Sequence, residues 1–131
     1  MYQLIKNIDD YSQFLPWCSA SRVIEVYSNA SGYEQAIARI DIKKGLISSY
    51  FISENTYISN KRIDMKLVEG PFEFLSGYWQ FISKESYTIV EFHLEYRFSN
   101  SFLAKLYAAS FNIIIDKIIA AFLDRADTIY G

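Results

Sequence analysis

Val90, Phe92, Leu94, Tyr96 and Phe98 alternate with Glu91, His93, Glu95 and Arg97. A period of two sends successive side chains to opposite faces of a β-strand, so segment 87–98 predicts a strand with one dry face and one wet face. Segment 61–68 repeats the pattern, with Ile63, Met65 and Leu67 set against Arg62, Asp64 and Lys66. Further short runs rich in Val, Ile, Tyr, Phe and Thr predict strands at 22–28, 34–42, 46–56 and 73–83. Turn-forming clusters such as Ser28-Asn29-Ala30-Ser31-Gly32 and Lys43-Lys44-Gly45 separate them. Links this short do not hold crossover helices, so the six strands are expected to form an antiparallel meander.

The period changes at both ends of the chain. Met1, Leu4, Ile5 and Ile8 fall at helical spacing, and Asp9-Asp10 opens a second short helical turn through Tyr11, Phe14 and Leu15 that Pro16 ends. Near the C-terminus Leu103, Leu106, Tyr107, Phe111, Ile114, Ile115, Ile118, Phe122, Ala126 and Ile129 recur every three or four residues. Lys105, Asn112, Asp116, Asp124 and Asp127 occupy the opposite stripe, and Asn100 or Ser101 is placed to cap the helix. A helix of about 28 residues is about 42 Å long at 1.5 Å per residue, enough to cross a sheet. Pattern alone therefore predicts an α+β fold: a curved antiparallel sheet of about six strands around one long C-terminal helix, with two short helices near the start.

Composition narrows this picture. The chain has 131 residues, 51% hydrophobic and 18% aromatic, with eleven Tyr, ten Phe and two Trp. A chain of this size buries a real core, and its aromatic content excludes disorder. No repeat or linker divides it, so one domain over 1–131 is expected. The net charge of −2 supplies no overall attraction to nucleic acid or anionic lipid. The best membrane-span candidate, 106–123, carries Asn112, Asp116 and Lys117, and each charge in lipid costs about 3 kcal/mol. A single cysteine, Cys18, forms no internal disulfide, and no apolar leader follows Met1, so a reducing, cytoplasmic location is expected.

Few residues suggest catalysis. His93 is the only histidine, flanked at two-residue spacing by Glu91 and Glu95. That trio suits a general base or two metal ligands, but the alternation puts it on the wet face, where a solvated role is the simpler reading. Cys18 lacks any nucleophile signature and reads as a structural thiol. The five glycines are too scattered for a phosphate loop. Lys43, Lys44, Lys61, Arg62 and Lys66 gather in one third of the chain, but Asp41, Glu54 and Asp64 are interleaved, so solubilising charge competes with an RNA-binding surface.

A long helix across a curved sheet leaves two outcomes open: a filled core, or a cavity that side chains do not fill. Tyr50, Phe51, Trp79, Phe92, Tyr96, Phe98, Tyr107 and Phe111 are positioned by pattern to line such a space. In Gly70-Pro71-Phe72-Glu73-Phe74-Leu75-Ser76-Gly77-Tyr78-Trp79, strand parity does not bury every large residue on one face. Some of Phe72, Phe74, Leu75 and Tyr78 are therefore expected at a pocket mouth or interaction surface, along with part of Phe14-Leu15-Pro16-Trp17.

These residues also carry a resemblance. Residues 11–25 (YSQFLPWCSASRVIE), Leu67-Val68-Glu69-Gly70-Pro71-Phe72 with Leu75, Gly77, Trp79 and Phe81, and the closing 121–131 (AFLDRADTIYG) resemble the bacterial coenzyme Q-binding, START-like family. That family is also described as polyketide cyclase/dehydrase-like and includes members named ribosome association toxin. The resemblance spans the chain and implies a helix-grip fold, with the sheet curled around the long helix to enclose a hydrophobic cavity. By position it makes Phe14, Leu15, Pro16, Trp17, Gly70, Pro71, Phe72 and Trp79 candidates for shaping the pocket and its entrance. Leu75, Phe98, Tyr107 and Phe111 join them as ligand-binding candidates from the pattern, and no residue is assigned a catalytic or metal-binding role. Family members begin with a β-strand that this chain lacks, so the edge beside 87–98 is expected to be unpaired; a misassigned start codon is the favoured explanation.

The implied function is non-enzymatic: ubiquinone or a similar isoprenoid lipid is carried in the cavity as ligand rather than cofactor, supporting respiration, with transient membrane-surface contact. The alternative is a ribosome association toxin that binds the large ribosomal subunit and blocks subunit joining, within a toxin-antitoxin pair. No DNA partner is expected.

Overall fold

The computed structural model describes residues 1–44 and 47–130, except the side chains of residues 44, 47, 103, 104, 106–110, 114 and 130. Helix α1 (Tyr2–Lys6) and a 3₁₀ segment (Ile8–Gln13) precede six strands: β1 (Cys18–Ser28), β2 (Glu34–Lys44), β3 (Ile47–Ile58), β4 (Arg62–Glu69), β5 (Phe72–Ser83) and β6 (Thr88–Phe98). Helix α2 (Ser101–Tyr130) follows. The strands pair in chain order as one antiparallel sheet, the expected meander. At 30 residues α2 is about 45 Å long and crosses the concave face.

The alternation read in the sequence is present in β6, where Val90, Phe92, Leu94 and Tyr96 are half-buried, Phe98 is buried, and the four polar residues between them are exposed. Strand β1 begins four residues earlier than expected. Pro16 and Trp17, the latter at φ 62°, make the corner at once, and Cys18 already pairs with Ile42. Just after the corner, Ser19 Oγ donates to the Asp41 carbonyl from within the strand. Asp9 does not cap a helix. Its carboxylate accepts the Val23 N–H at 2.9 Å and so ties the 3₁₀ segment to β1.

Strand β5 resolves the parity conflict by a slip. Phe72 pairs with Phe98 but Phe74 with Arg97, so one extra residue is accommodated between them. Phe72 and Leu75, three apart, both turn inward and are buried, whereas Phe74 turns outward. At Gly77 the two backbones run so close that an added Cβ would collide with the His93 carbonyl oxygen.

Two apolar clusters result. The larger joins Tyr2, Leu4, Ile5, Ile8, Tyr11 and Leu15 to Ala36, Ala38, Tyr57, Ile63, Trp79, Phe81 and Phe122. The smaller comprises Phe72, Leu75 and Phe98, with Leu67, Leu94, Tyr96 and Phe111 against it. On α2, Phe111, Ile115, Ile118, Phe122 and Ala126 are buried or half-buried as the periodicity predicts, but Ile129 is exposed, in the last turn beyond the packed stretch. The side chains of Leu103, Leu106, Tyr107 and Ile114 lie outside the described residues.

Candidate functional site

Between the two clusters lies a cavity of about 140 Å³. Its residues come from every layer of the fold. Ile8, Tyr11, Leu15 and Pro16 close it on the side of the 3₁₀ segment, together with Cys18 of β1. Ile40, Ile42, Phe51, Met65, Leu75, Trp79, Phe92 and Leu94 come from the concave face of the sheet. Phe111, Ile115, Ile118, Ile119 and Phe122 come from α2. The walls are ordered by ring packing. Trp79 lies 4.4 Å from Phe92 and meets Phe122 edge-on at 5.5 Å. Phe122 also takes Tyr11 edge-on, at 5.2 Å.

Besides the Trp79 indole N–H, four polar side chains belong to the lining of this apolar space. Two are spent locally: the Tyr11 hydroxyl donates to the Ile5 carbonyl, and Cys18 Sγ is within 3.5 Å of the Ala20 carbonyl. Burial raises the Tyr11 phenol well above its ordinary range and also raises the Cys18 thiol, so both are neutral at pH 7. The other two, Ser53 and Asn55, are each only 4% exposed on β3. Ser53 Oγ donates to Asn55 Oδ1 at 3.1 Å. Ala36 and Ala38, beside them on β2, are too small to cover them.

Of the residues nominated from sequence, Leu15, Pro16, Leu75, Trp79 and Phe111 line the cavity. Phe14 packs instead on Tyr11 and Phe122, with the Arg125 guanidinium 5.4 Å from its ring. Trp17 sits in the left-handed turn, where its carbonyl accepts the Lys43 N–H. Pro71 holds the β4–β5 turn, its carbonyl accepting from Ser99. Phe72 and Phe98 stack at 4.9 Å within the smaller cluster, which adjoins the cavity. The Tyr107 side chain lies outside the described residues. Among the aromatics expected to line the space, Tyr50 faces outward because its neighbour Phe51 faces inward, and Tyr96 belongs to the smaller cluster. Ser53 and Asn55 were not nominated: on β3 they alternate with Glu54 and Thr56, so both faces look polar in sequence.

A second hollow, about 300 Å³, lies where α1 and the 3₁₀ segment meet β1 and β2. Lys6, Asp9, Asp10 and Glu34 line it, and Lys6 pairs with Glu34 at 2.6 Å. It is a solvated, charged groove, unlike the apolar, ring-walled cavity, which suits a hydrophobic ligand better.

The convex face carries a different chemistry. The Arg62 guanidinium lies 3.9 Å from the Tyr78 ring, which stacks on His93 at 5.4 Å. Arg39 lies over Tyr50 at 4.0 Å. The arginine charges are paired, Arg39 with Asp41 and Arg62 with Asp64, and His93 Nε2 lies 3.2 Å from Glu95 Oε1. Among the described residues no group of three or more His, Cys, Asp or Glu is placed to hold a metal ion, and no helix is long and apolar enough to cross a membrane.

A family model described as "Polyketide cyclase / dehydrase and lipid transport" matches residues 1–123. The chain is 38% identical to the ribosome association toxin RatA of Escherichia coli K12, over all of this chain and 80% of that protein. It is 29% identical to the mitochondrial coenzyme Q-binding protein COQ10 of Dictyostelium discoideum, over all of this chain and 64% of that protein. Among solved structures, the 18 kDa protein CC1736 of Caulobacter crescentus superposes with a TM-score of 0.75 at 26% identity, covering 99% of this chain and 88% of that one. The Zhui aromatase/cyclase from Streptomyces sp. R1128 shares the fold at TM-score 0.72 and 12% identity, covering 96% of this chain and 84% of that one.

Proposed function

Starting from the chain's membership of the polyketide cyclase / dehydrase and lipid transport family, START-like in fold, we propose that it is a binding protein whose cavity holds the ring of an isoprenoid quinone or similar lipid. The observation that carries this reading is the apolar, aromatic-walled space between the two packed clusters. The name of the COQ10 relative supports it. The mechanism is sequestration in a helix-grip cavity, without turnover, in the cytoplasm and with transient contact to a membrane surface as donor and acceptor of the lipid.

Magnitudes shape the proposal. A cavity of about 140 Å³ compares with the roughly 150 Å³ engineered cavity that accepts a benzene ring, so it takes one ring and not an entire polyprenyl quinone. Burying a ring-sized apolar group yields about 3 kcal/mol, whereas micromolar affinity requires about 8 kcal/mol. The tail must supply the difference, at about 0.8 kcal/mol per buried CH₂. Affinity is therefore expected to rise over the first one or two isoprene units and then level off. Lipid extraction and mass spectrometry of the purified protein, followed by titration with ubiquinones of increasing tail length, tests this. An empty protein that takes up no quinone contradicts it.

A second reading, association with the large ribosomal subunit that blocks subunit joining, is favoured by a specific observation: the whole-chain identity to RatA exceeds that to COQ10. Its surface would be the convex face around Arg62, Tyr78 and His93, with exposed Lys61 beside it and exposed Lys43 toward the other end of β3. Paired charges and a net charge of −2 weaken the electrostatic term that RNA binding relies on. Salt-dependent cosedimentation with large subunits, lost in a K43E/K61E/R62E variant, is the result this reading expects. The two readings use opposite faces of the sheet and are compatible in one molecule.

A further inference from the structure

Resting on the cavity reading, we infer that Asn55 is the hydrogen-bond donor that recognises an acceptor oxygen carried directly on the ring of the ligand, the carbonyl or ether oxygen of a substituted one-ring compound. An asparagine amide offers two N–H donors and a carbonyl acceptor, and a serine hydroxyl one donor and two lone pairs. Ser53 gives its proton to Asn55 Oδ1 at 3.1 Å, which fixes the amide's orientation and leaves the N–H side to be satisfied elsewhere. Tyr57, the next inward-facing residue of β3, is itself buried. The amide N–H side of Asn55 is left for the cavity that the residue lines.

Apart from the single indole N–H of Trp79, no other lining group offers a comparable donor. The Tyr11 hydroxyl is committed to the Ile5 carbonyl, and Cys18 is a neutral thiol turned to the Ala20 carbonyl. A purely hydrocarbon ligand would gain nothing from Asn55 and would leave a buried amide N–H facing apolar carbon, which is unfavourable. A ring bearing an acceptor oxygen satisfies it. Sites built this way discriminate most strongly against analogues that lack the hydrogen-bonding atom. The pair Ser53–Asn55 thus selects among apolar rings, while the surrounding side chains and the tail supply affinity. Ser53 acts through Asn55 and is a positioning residue.

The test compares two probes with the same decyl chain, decylubiquinone and decylbenzene, on the full chain and on its Asn55→Leu and Ser53→Ala variants. The unmodified protein is expected to prefer the quinone at least tenfold. Asn55→Leu, similar in volume, should bind decylubiquinone about tenfold more weakly and decylbenzene as well or better; Ser53→Ala should fall between. Infrared difference spectra should show one quinone C=O stretch shifted to lower frequency in the unmodified protein, and the shift absent in Asn55→Leu. A folded Asn55→Leu protein that keeps both the preference and the shifted band overturns the inference while leaving the cavity reading intact. Should that variant not fold, an unchanged preference and band in Ser53→Ala does the same. Failure of the unmodified protein to bind either probe removes the cavity reading, and this inference with it.

Discussion

Tyr11 shows how one residue links the N-terminal segment to the core. Its ring meets Phe14 and Phe122 edge-on, its hydroxyl donates to the Ile5 carbonyl, and burial holds its phenol well above the ordinary value of 10.0. A group whose folded-state pKa is raised contributes stability in full below its unfolded value, and loses that contribution as pH climbs through the folded value. Alkaline conditions from about pH 10 upward should therefore destabilise the protein, since unfolding releases a phenol that then ionises. Tyr11→Phe is expected to cost about 1 kcal/mol at pH 8, the net worth of a buried hydrogen bond. Above pH 10 the difference from the unmodified protein should shrink, because the variant has no phenol there to ionise; thermal melts at pH 8 and above pH 10 read this directly. Tyr57 and Tyr2, also raised chiefly by burial, and Tyr27 and Tyr50, raised chiefly by hydrogen bonds to Glu54 and Glu69, remain in both proteins and contribute to a common alkaline slope.

At the scale of elements, strand β5 decides where the smaller cluster forms. The slip between Phe72 and Phe74 turns Phe72 inward against Phe98 and Phe111, and leaves Phe74 41% exposed with Arg97 5.6 Å from its ring. Removing the two rings should thus have unequal effects. Phe72→Ala is expected to cost about 3–5 kcal/mol, the range for truncating a buried aromatic, and Phe74→Ala less than about 1 kcal/mol, as measured by urea unfolding. Equal costs would contradict the slip. Sequence reading identified the conflict in this segment, since period two does not bury positions 72, 74 and 75 together. It did not say which residue would yield, because a bulge depends on the partner strand and leaves no mark in local composition. Strand β6 was legible for the opposite reason: its apolar and charged residues alternate without interruption over nine positions, and both faces have unambiguous environments. Strand β1 fell between these cases, its first residues including Ser19, which bonds across the sheet to the Asp41 carbonyl rather than closing a loop.

For the whole molecule, the meander, the long helix and the apolar stripe that packs it between Phe111 and Ala126 were legible, because each is a periodic signal many residues long. The cavity was not decidable from pattern, since filled and unfilled cores use the same side chains; it arises where α2 spans two clusters that do not meet. Its polar spot was missed because Ser53 and Asn55 sit on a strand whose two faces are equally polar in sequence. Two tryptophans make the central claim measurable, since Trp79 lines the cavity and Trp17 does not. In a Trp17→Phe variant the remaining indole fluorescence reports the cavity alone, and a quinone bound beside Trp79 quenches it. Titration with decylubiquinone should give a saturable quench with one-to-one stoichiometry. A signal that never saturates, or that does not change while the protein remains folded, would contradict a ring-binding cavity between the sheet and α2.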